Sequence, residues 1–219
     1  ILFDYFKGPL PEFPAGKPLF IFASHFHADH YAPVIFQLGE KRENVFYILS
    51  KEIGKKIPEE YRKRYKDRIR LGKAGERFCL NISEESLIVE TFHSTDEGVA
   101  FWLSCEGKEI YHAGDLNNWW WEGEDMAWNR NMAASYKQEM KKLSGRTADL
   151  AFIPVDPRQE QWFYLGAAGF MEQADAKWIF PMHFWEDYTI IPKLIEHPSS
   201  EGWRDRIVEI HKEGEEFIR

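Results

Sequence analysis

The segment from His25 to His30, His-Phe-His-Ala-Asp-His, places four potential metal ligands within six residues. It directly follows the apolar run 18–23, which has the composition of a buried strand. In an extended or turning segment, His25 and His27 project to one side, whereas Asp29 and His30 project differently. One loop at the end of a strand could therefore supply ligands to two metal ions.

Three further potential ligands follow apolar or β-rich stretches, where strands are predicted to end: His93, Asp115 and His183. Seven ligand-type side chains exceed the three or four that one ion requires, so the sequence predicts two divalent metal ions. Two such ions can share a water molecule and lower its pKa from about 15.7 to roughly 7, which makes a metal-bridging hydroxide available for hydrolysis. The sequence contains no Gly-x-Ser-x-Gly nucleophile motif.

The HxHxDH loop, a later single histidine, a Gly-Asp and a Pro-Met-His occur in an order that resembles the metallo-β-lactamase-fold metallohydrolase superfamily. The resemblance implies an α/β fold, a four-layer αββα sandwich with the metal site at one edge of its two sheets. Asp29 and Asp115 are then the predicted catalytic residues, and Asp4 supports the ligand loop without binding metal. The ligand set that the resemblance implies is His25, His27 and His93 for one ion, Asp29, His30 and His183 for the other, and Asp115 as the bridge.

Within that superfamily, an aspartate in place of a cysteine at position 115 resembles the lactonase, glyoxalase and phosphodiesterase branches. The surroundings of Gly-Asp and Pro-Met-His look most similar to the ascorbate-phosphate lactonase-like and ribonuclease Z-like branch. No histidine lies between Asp115 and His183, and this departure argues against transfer-RNA processing. The mixed imidazole and carboxylate ligands suit Zn²⁺, which we predict, while Mn²⁺ and Fe²⁺ accept the same set.

Sequence position nominates the substrate contacts: Trp119 after Asp115, Asp156 and Arg158 after the strand that ends at Pro154, and Trp185 after His183. Arg158 could bind a carboxylate or phosphate, or form an ion pair with Asp156. Trp119, Trp120 and Trp121 cannot all face one way, so at least one should pack internally. Ser94 and Asp96 are interpreted as turn or supporting residues, and His112, His197 and His211 as structural ones.

These residues need elements to position them, and alternating strand and helix patterns provide such elements. Strands are predicted at about 1–3, 18–23, 45–49, 77–82, 87–92, 99–105, 108–113, 149–153, 177–180 and 206–211, with Glu106-Gly107 as a hairpin turn. Helices are predicted at about 32–40, 125–144 and 167–175, and a helical stretch after His183. The Met and aromatic stripe of the helix at 125–144 is predicted to pack in the core.

A chain of 219 residues fits one domain, 1–219, and its start in mid-strand suggests that an N-terminal hairpin is missing. The net charge of −8 argues against nucleic-acid and anionic-membrane partners, and the basic stretch 51–70 is interpreted as a solvated face. Cys79 and Cys105 are expected to be buried free thiols, which favours a reducing cytoplasm.

The sequence thus predicts a cytoplasmic binuclear metallohydrolase that acts on a small ester, lactone or phosphodiester. Two alternatives stay open, namely a metal-dependent nuclease of the same fold and a non-catalytic metal-bound sensing or binding protein. Turnover of generic esters and phosphodiesters that is lost on chelation would exclude the non-catalytic alternative. The sequence leaves the natural substrate and the oligomeric state undefined.

Overall fold

Two β-sheets pack face to face in the computed structural model, which describes residues 1–14, 16–82 and 85–218. The first sheet is parallel, with the order β1-β2-β3-β4: β1 (Leu2–Phe3), β2 (Leu19–Ala23), β3 (Val45–Ser50) and β4 (Ile69–Gly72). The second sheet is mixed, with the order β10-β9-β8-β7-β6-β5: β5 (Arg77–Ile82), β6 (Glu85–His93), β7 (Val99–Cys105), β8 (Lys108–His112), β9 (Thr147–Pro154) and β10 (Asp175–Met182).

Helices cover the outer faces of both sheets. They are α1 (Ile35–Lys41), α2 (Glu59–Arg64), α3 (Met126–Lys141), α4 (Leu165–Gln173) and α5 (Ile190–Glu196), with short 3₁₀ segments at Lys51–Lys55, Pro157–Trp162, Pro198–Ser200 and Arg204–Arg206. None of the helices in the described ranges is long and apolar enough to cross a membrane.

Three apolar clusters separate these layers. Phe22, Ile48 and Phe101 belong to the cluster between the sheets, whereas Tyr47 packs on the α1 side and Tyr111 on the α3 and α4 side. Strands β2 and β3 are buried on both faces, which explains why they read as continuous apolar runs. The predicted four-layer αββα sandwich is therefore confirmed.

The C-terminal strand predicted at 206–211 is wrong. A 3₁₀ turn occupies Arg204–Arg206, and a single bridge pairs Ile207 with Ile179 of β10. Val208 N donates to Ile179 O at 2.8 Å, and no further ladder bond follows in the described chain. Ile207 and Val208 are buried against β10, so their apolar character reflects packing at a sheet edge rather than a full strand.

Two expectations about burial also need correction. Tyr136 and Met140 of α3 are buried in the core as predicted, but Met126 is exposed and Met132 is only half-buried. The apolar stripe of α3 is thus divided between the core and the outside of the sandwich. Cys79 is exposed on the edge strand β5, and no disulfide involves it.

The basic stretch 51–70 contains two elements that the sequence did not predict, α2 and β4. Its charges are largely engaged on the surface: Lys63 pairs with Glu59 at 2.6 Å, and the Arg62 guanidinium donates to Gly54 O at 2.6 Å. These contacts agree with its interpretation as a solvated face.

Gly98 is a glycine that the fold requires. Its φ is +72°, and a Cβ at this position would lie 2.0 Å from Ser24 O, beside the ligand loop. We expect Gly98→Ala to lower the free energy of unfolding by roughly 3 kcal/mol or more, because backbone strain adds to a clash with main chain.

Gly107 is the matched control, since it has φ +71° and nothing within 4 Å of its added Cβ. Gly107→Ala should cost roughly 1–2 kcal/mol. Equal losses in equilibrium urea unfolding would contradict the argument.

Candidate metal centre

The ligand loop begins where β2 ends and is held from behind by Asp4, at the end of β1. Asp4 accepts hydrogen bonds from Ser24 N and Ser24 Oγ, both at 2.7 Å, and from His30 Nδ1 at 2.8 Å. Ser24 Oγ in turn accepts from His25 Nδ1 at 3.0 Å. Because these Nδ1 atoms are engaged behind the loop, His25 and His30 present Nε2 to the site.

Asp115 lies at the centre of the site, after β8, and is almost fully buried. The Nε2 atoms of His25, His30 and His183 lie 3.5, 3.2 and 3.6 Å from its carboxylate oxygens. His27 Nδ1 lies 3.0 Å from His25 Nε2, and Asp29 Oδ2 lies 3.5 Å from His30 Nε2. Six of the seven predicted ligands therefore converge on one small volume.

The donor atoms fall into three overlapping groups, each with its atoms within 4.8 Å of one another: His25 with His30 and Asp115, Asp29 with His30 and His183, and His27 with Asp96 and Asp115. Asp115 and His30 each belong to two groups. A pair of donors bound to one tetrahedral ion at 2.0–2.2 Å lies about 3.3–3.6 Å apart, which is close to most of these spacings.

One buried atom has no partner unless an ion is present. Asp115 Oδ1 is shielded from solvent and forms no hydrogen bond with any described residue, although His30 Nε2 and His183 Nε2 face it. An orphaned buried carboxylate oxygen is costly, and a cation beside it would remove the cost. The residues present therefore fit bound divalent metal.

His93 is not brought to this site, and Asp96 is found there instead. His93 is exposed, its Nδ1 contacts Ser94 O, and its backbone N–H donates to Glu139 of α3 at 3.2 Å. Thr95 explains the difference, because Thr95 Oγ1 donates to Asn117 O at 2.6 Å and ties the loop beside Asp115. Asp96, the next residue, then reaches His27. The structure thus places Asp96, and not His93, beside the other predicted ligands.

His183 follows β10 in a left-handed conformation, with φ +64°. Its Nδ1 donates to Asp156 Oδ2 at 2.9 Å, and Asp156 also accepts from Arg158 Nε at 3.0 Å and Trp185 Nε1 at 3.3 Å. Asp156 is fully buried. It therefore orients His183 from the interior, and its contact with substrate stays a prediction.

Burial and neighbouring charges perturb the acid–base groups of the site. Burial lowers the pKa of His25 to about 3 and raises the pKa of Asp115 above its ordinary value. Burial alone would lower the pKa of His30, but the hydrogen bond and charge of Asp4 raise it to about 9. A raised pKa favours the protonated imidazole, so metal binding at His30 competes with a proton.

A cleft of about 400 Å³ opens above Asp115. The Trp119 and Trp121 rings stack at 5.7 Å, whereas Trp120 packs against Trp162 at 5.3 Å. Trp119 is the buried one of the three consecutive tryptophans. The lining of the cleft combines potential metal ligands with aromatic and cationic side chains: His27, Asp29, Thr95, Asp96, Asp115, Trp119, Trp121, Trp128, Met132, Arg158, His183 and Trp185.

Comparisons with known proteins agree with this fold. No protein-family model and no curated protein matches the chain. CmlA, a diiron β-hydroxylase from Streptomyces venezuelae, is similar in structure, with 12% identity and a TM-score of 0.51 over 88% of this chain and 43% of its own length. This chain therefore spans less than half of CmlA.

Two other similar structures are more distant in shape. The metallo-β-lactamase fold protein YhfI from Bacillus subtilis is 14% identical, with a TM-score of 0.44 over 75% of this chain and 64% of its own. The short form of human tRNase Z is 14% identical, with a TM-score of 0.44 over 78% of this chain and 74% of its own. The two packed sheets and their flanking helices have the arrangement of the metallo-β-lactamase fold.

Proposed function

We propose that the protein is a hydrolase that binds two divalent metal ions and acts on a small ester, lactone or phosphodiester. The observation that carries this proposal is the convergence of imidazole and carboxylate donors around Asp115, at the floor of an open cleft. A metal-bound module without catalytic activity would not need a carboxylate shared between two ions.

Seven residues would hold the ions in two sets that share Asp115: His25, His27 and Asp96 in one, and Asp29, His30 and His183 in the other. Bound divalent ions would activate water and polarise the oxygen of the group under attack. Asp4 and Asp156 keep His30 and His183 in the orientation that this requires. The ligand types suit Zn²⁺ first, and Mn²⁺ or Fe²⁺ as well.

A side-chain nucleophile is poorly provided for in the cleft. Thr95 is the one hydroxyl-bearing side chain among the described residues of its lining, and no cysteine or serine accompanies it. Thr95 Oγ1 donates to Asn117 O and accepts from Asn117 N at 3.0 Å, so its hydroxyl serves the loop. This engagement favours attack by water over a covalent intermediate.

The size of the cleft favours a small molecule. About 400 Å³ lies near the lower end of typical small-ligand pockets. Arg158 is the one lysine or arginine among the described residues that line it, which leaves no basic track for a nucleic-acid backbone. A cytoplasmic location is part of this proposal, in keeping with the predicted free thiols.

We expect reconstitution with Zn²⁺ to give about two metal ions per chain and to raise the melting temperature, since ions that bind only the folded state stabilise it. Elemental analysis and thermal unfolding would measure both effects. A panel of lactones, esters and phosphodiesters, assayed with Zn²⁺, Mn²⁺ and Fe²⁺, should reveal turnover that chelation abolishes.

Three outcomes would change the proposal. Two bound ions without turnover of any substrate would favour a metal-bound sensing or binding protein. Tight, strongly salt-dependent binding of RNA or DNA would favour a nuclease. A stoichiometry fixed at one ion would remove the binuclear arrangement.

A further inference from the structure

Arg158 lines the cleft, and one nitrogen of its guanidinium, Nη1, has no protein partner among the described residues. Its Nε lies 3.0 Å from both carboxylate oxygens of Asp156, and its Nη2 also donates to Asp156. Nη1 forms no hydrogen bond with any of the described residues, and half of the side chain remains exposed. The guanidinium is therefore fixed in orientation while part of its donor capacity stays available.

Flat apolar surfaces flank this guanidinium. Arg158 lies over the Trp185 ring at 4.5 Å and over the Trp121 ring at 5.9 Å. Trp121 is stacked on Trp119 with an angle of only 5° between the rings. An indole wall next to a cation is suited to a planar, apolar group that carries a negative charge.

These walls are held in place before any ligand arrives. Asn129 of α3 is buried and binds the backbone of Trp121 in both directions, at 2.9 and 2.8 Å. Trp119 Nε1 donates to Asp115 O at 2.9 Å, and Trp185 Nε1 donates to Asp156. Because the rings are fixed, a flat ligand would lose little free energy to reorganisation of the protein.

A second groove of about 430 Å³ leads away from the cleft along α3 and shares Asp96, Trp128 and Met132 with it. We call it the polar groove, because Asn131, Ser135 and Gln138 line its helical side. No lysine or arginine lines it among the described residues. The Glu139 carboxylate at its end is engaged by Lys142 Nζ, at 2.6 and 2.7 Å.

Charge is thus distributed unevenly on the two sides of the proposed metal centre. On the assumption that the proposed hydrolase function is correct, we infer that the substrate carries a planar apolar group with an anionic substituent on the Arg158 side of the bond to be broken. The part of the substrate on the other side of that bond is uncharged and enters the polar groove. A carboxylate and a phosphate would both satisfy the Arg158 edge.

Matched substrates separate this inference from a purely structural Arg158–Asp156 pair. Methyl 4-carboxybenzoate and methyl 4-carbamoylbenzoate have the same shape and methyl ester but differ in charge. We expect the metal-loaded protein to show a KM about tenfold or more lower for the carboxylate, the effect of one charge-assisted hydrogen bond. The corresponding 4-substituted phenyl methyl phosphates make the same comparison if phosphodiesters are the better substrates.

Variants of Arg158 then test whether this residue causes the preference for the charged substrate. Arg158→Gln should reduce the KM ratio between the two substrates to near one, and Arg158→Lys should restore only part of it, because a lysine lacks the planar fork. Arg204→Gln removes an equally exposed charge outside the cleft lining and should retain the wild-type ratio. A ratio near one in the wild-type protein would overturn the inference.

Binding of terephthalate, 4-sulfamoylbenzoate and phenyl phosphate to metal-loaded protein, measured by calorimetry, gives a readout that does not need turnover. Wild-type binding that weakens about tenfold in Arg158→Gln would support the anion subsite even if no ester is hydrolysed. Turnover with no preference and no such binding would leave the hydrolase proposal standing and refute the subsite. Replacing the benzene ring by trans-cyclohexane should raise KM, and an unchanged KM would refute the planar requirement.

Discussion

Asp115→Ala is expected to be the most damaging substitution in this protein. Asp115 contributes donors to two of the three ligand groups, and its loss would leave His25 and His30 facing each other across a cavity with no charge to balance bound cations. Turnover should fall by more than the roughly 10²-fold that follows the loss of an outer-shell partner of a metal ligand. Metal content should fall from about two ions per chain to below one.

Two further variants make this result specific. Asp115→Asn keeps the shape of the side chain but removes its charge, so it should lose metal almost as completely. Asp205→Ala removes an exposed aspartate from the 3₁₀ segment Arg204–Arg206 and should keep wild-type metal content and turnover. Near-native turnover and two ions in Asp115→Ala would refute the bridging role and, with it, the proposed mechanism.

Much of the fold could be predicted because burial leaves a direct mark on sequence. Strand β2 is buried on both faces and therefore appears as an uninterrupted apolar run that ends at the ligand loop. The turn at Glu106 and Gly107 could be predicted from the sequence because glycine favours tight hairpins. In the structure the two residues adopt φ +50° and +71°, as such a turn requires.

The structure departs from the sequence-based expectations where contacts between residues distant in sequence determine the local conformation. Ile207 and Val208 have the pattern of a strand, but only one bridge to β10 forms before the chain leaves the sheet. Asp156 follows a strand end, as a substrate contact would, yet His183 and Arg158 draw it into the interior. Arg158, two residues away, was one predicted partner of Asp156, whereas His183 could not be identified from its neighbours in the chain.

The position of Asp96, rather than His93, beside the other donors has the same origin. Histidine is the more conspicuous ligand type, and it stands at the predicted strand end, so residue type and position both favoured His93. The hydroxyl of Thr95, bound to Asn117 beside Asp115, determines which side chain of the loop enters the site. An aspartate two residues after a serine also suits a turn, since Asp96 N donates to Ser94 Oγ at 3.1 Å.

The position of Asp96 among the donors leads to the second prediction, a contrast between two nearby substitutions. Asp96→Ala should lower metal content from about two ions to about one and reduce turnover by at least about 10²-fold, because the ion held by His25, His27, Asp96 and Asp115 would lose a carboxylate ligand. His93→Ala should retain two ions, since His93 belongs to no ligand group among the described residues. Elemental analysis of both variants after identical reconstitution would measure the contrast.

The alternative assignment predicts the reverse result. If His93 rotated into the site when metal binds, His93→Ala would lose an ion and Asp96→Ala would keep both. Such a rotation must break the contact of His93 Nδ1 with Ser94 O, whereas Asp96 already lies with His27 and Asp115. Asp96→Asn provides the finer test, because an amide oxygen is a weaker donor than a carboxylate and should leave the ion bound but more easily removed by a chelator. Chelator resistance equal to that of the wild-type protein in Asp96→Asn, together with two ions in Asp96→Ala, would return the ligand role to His93.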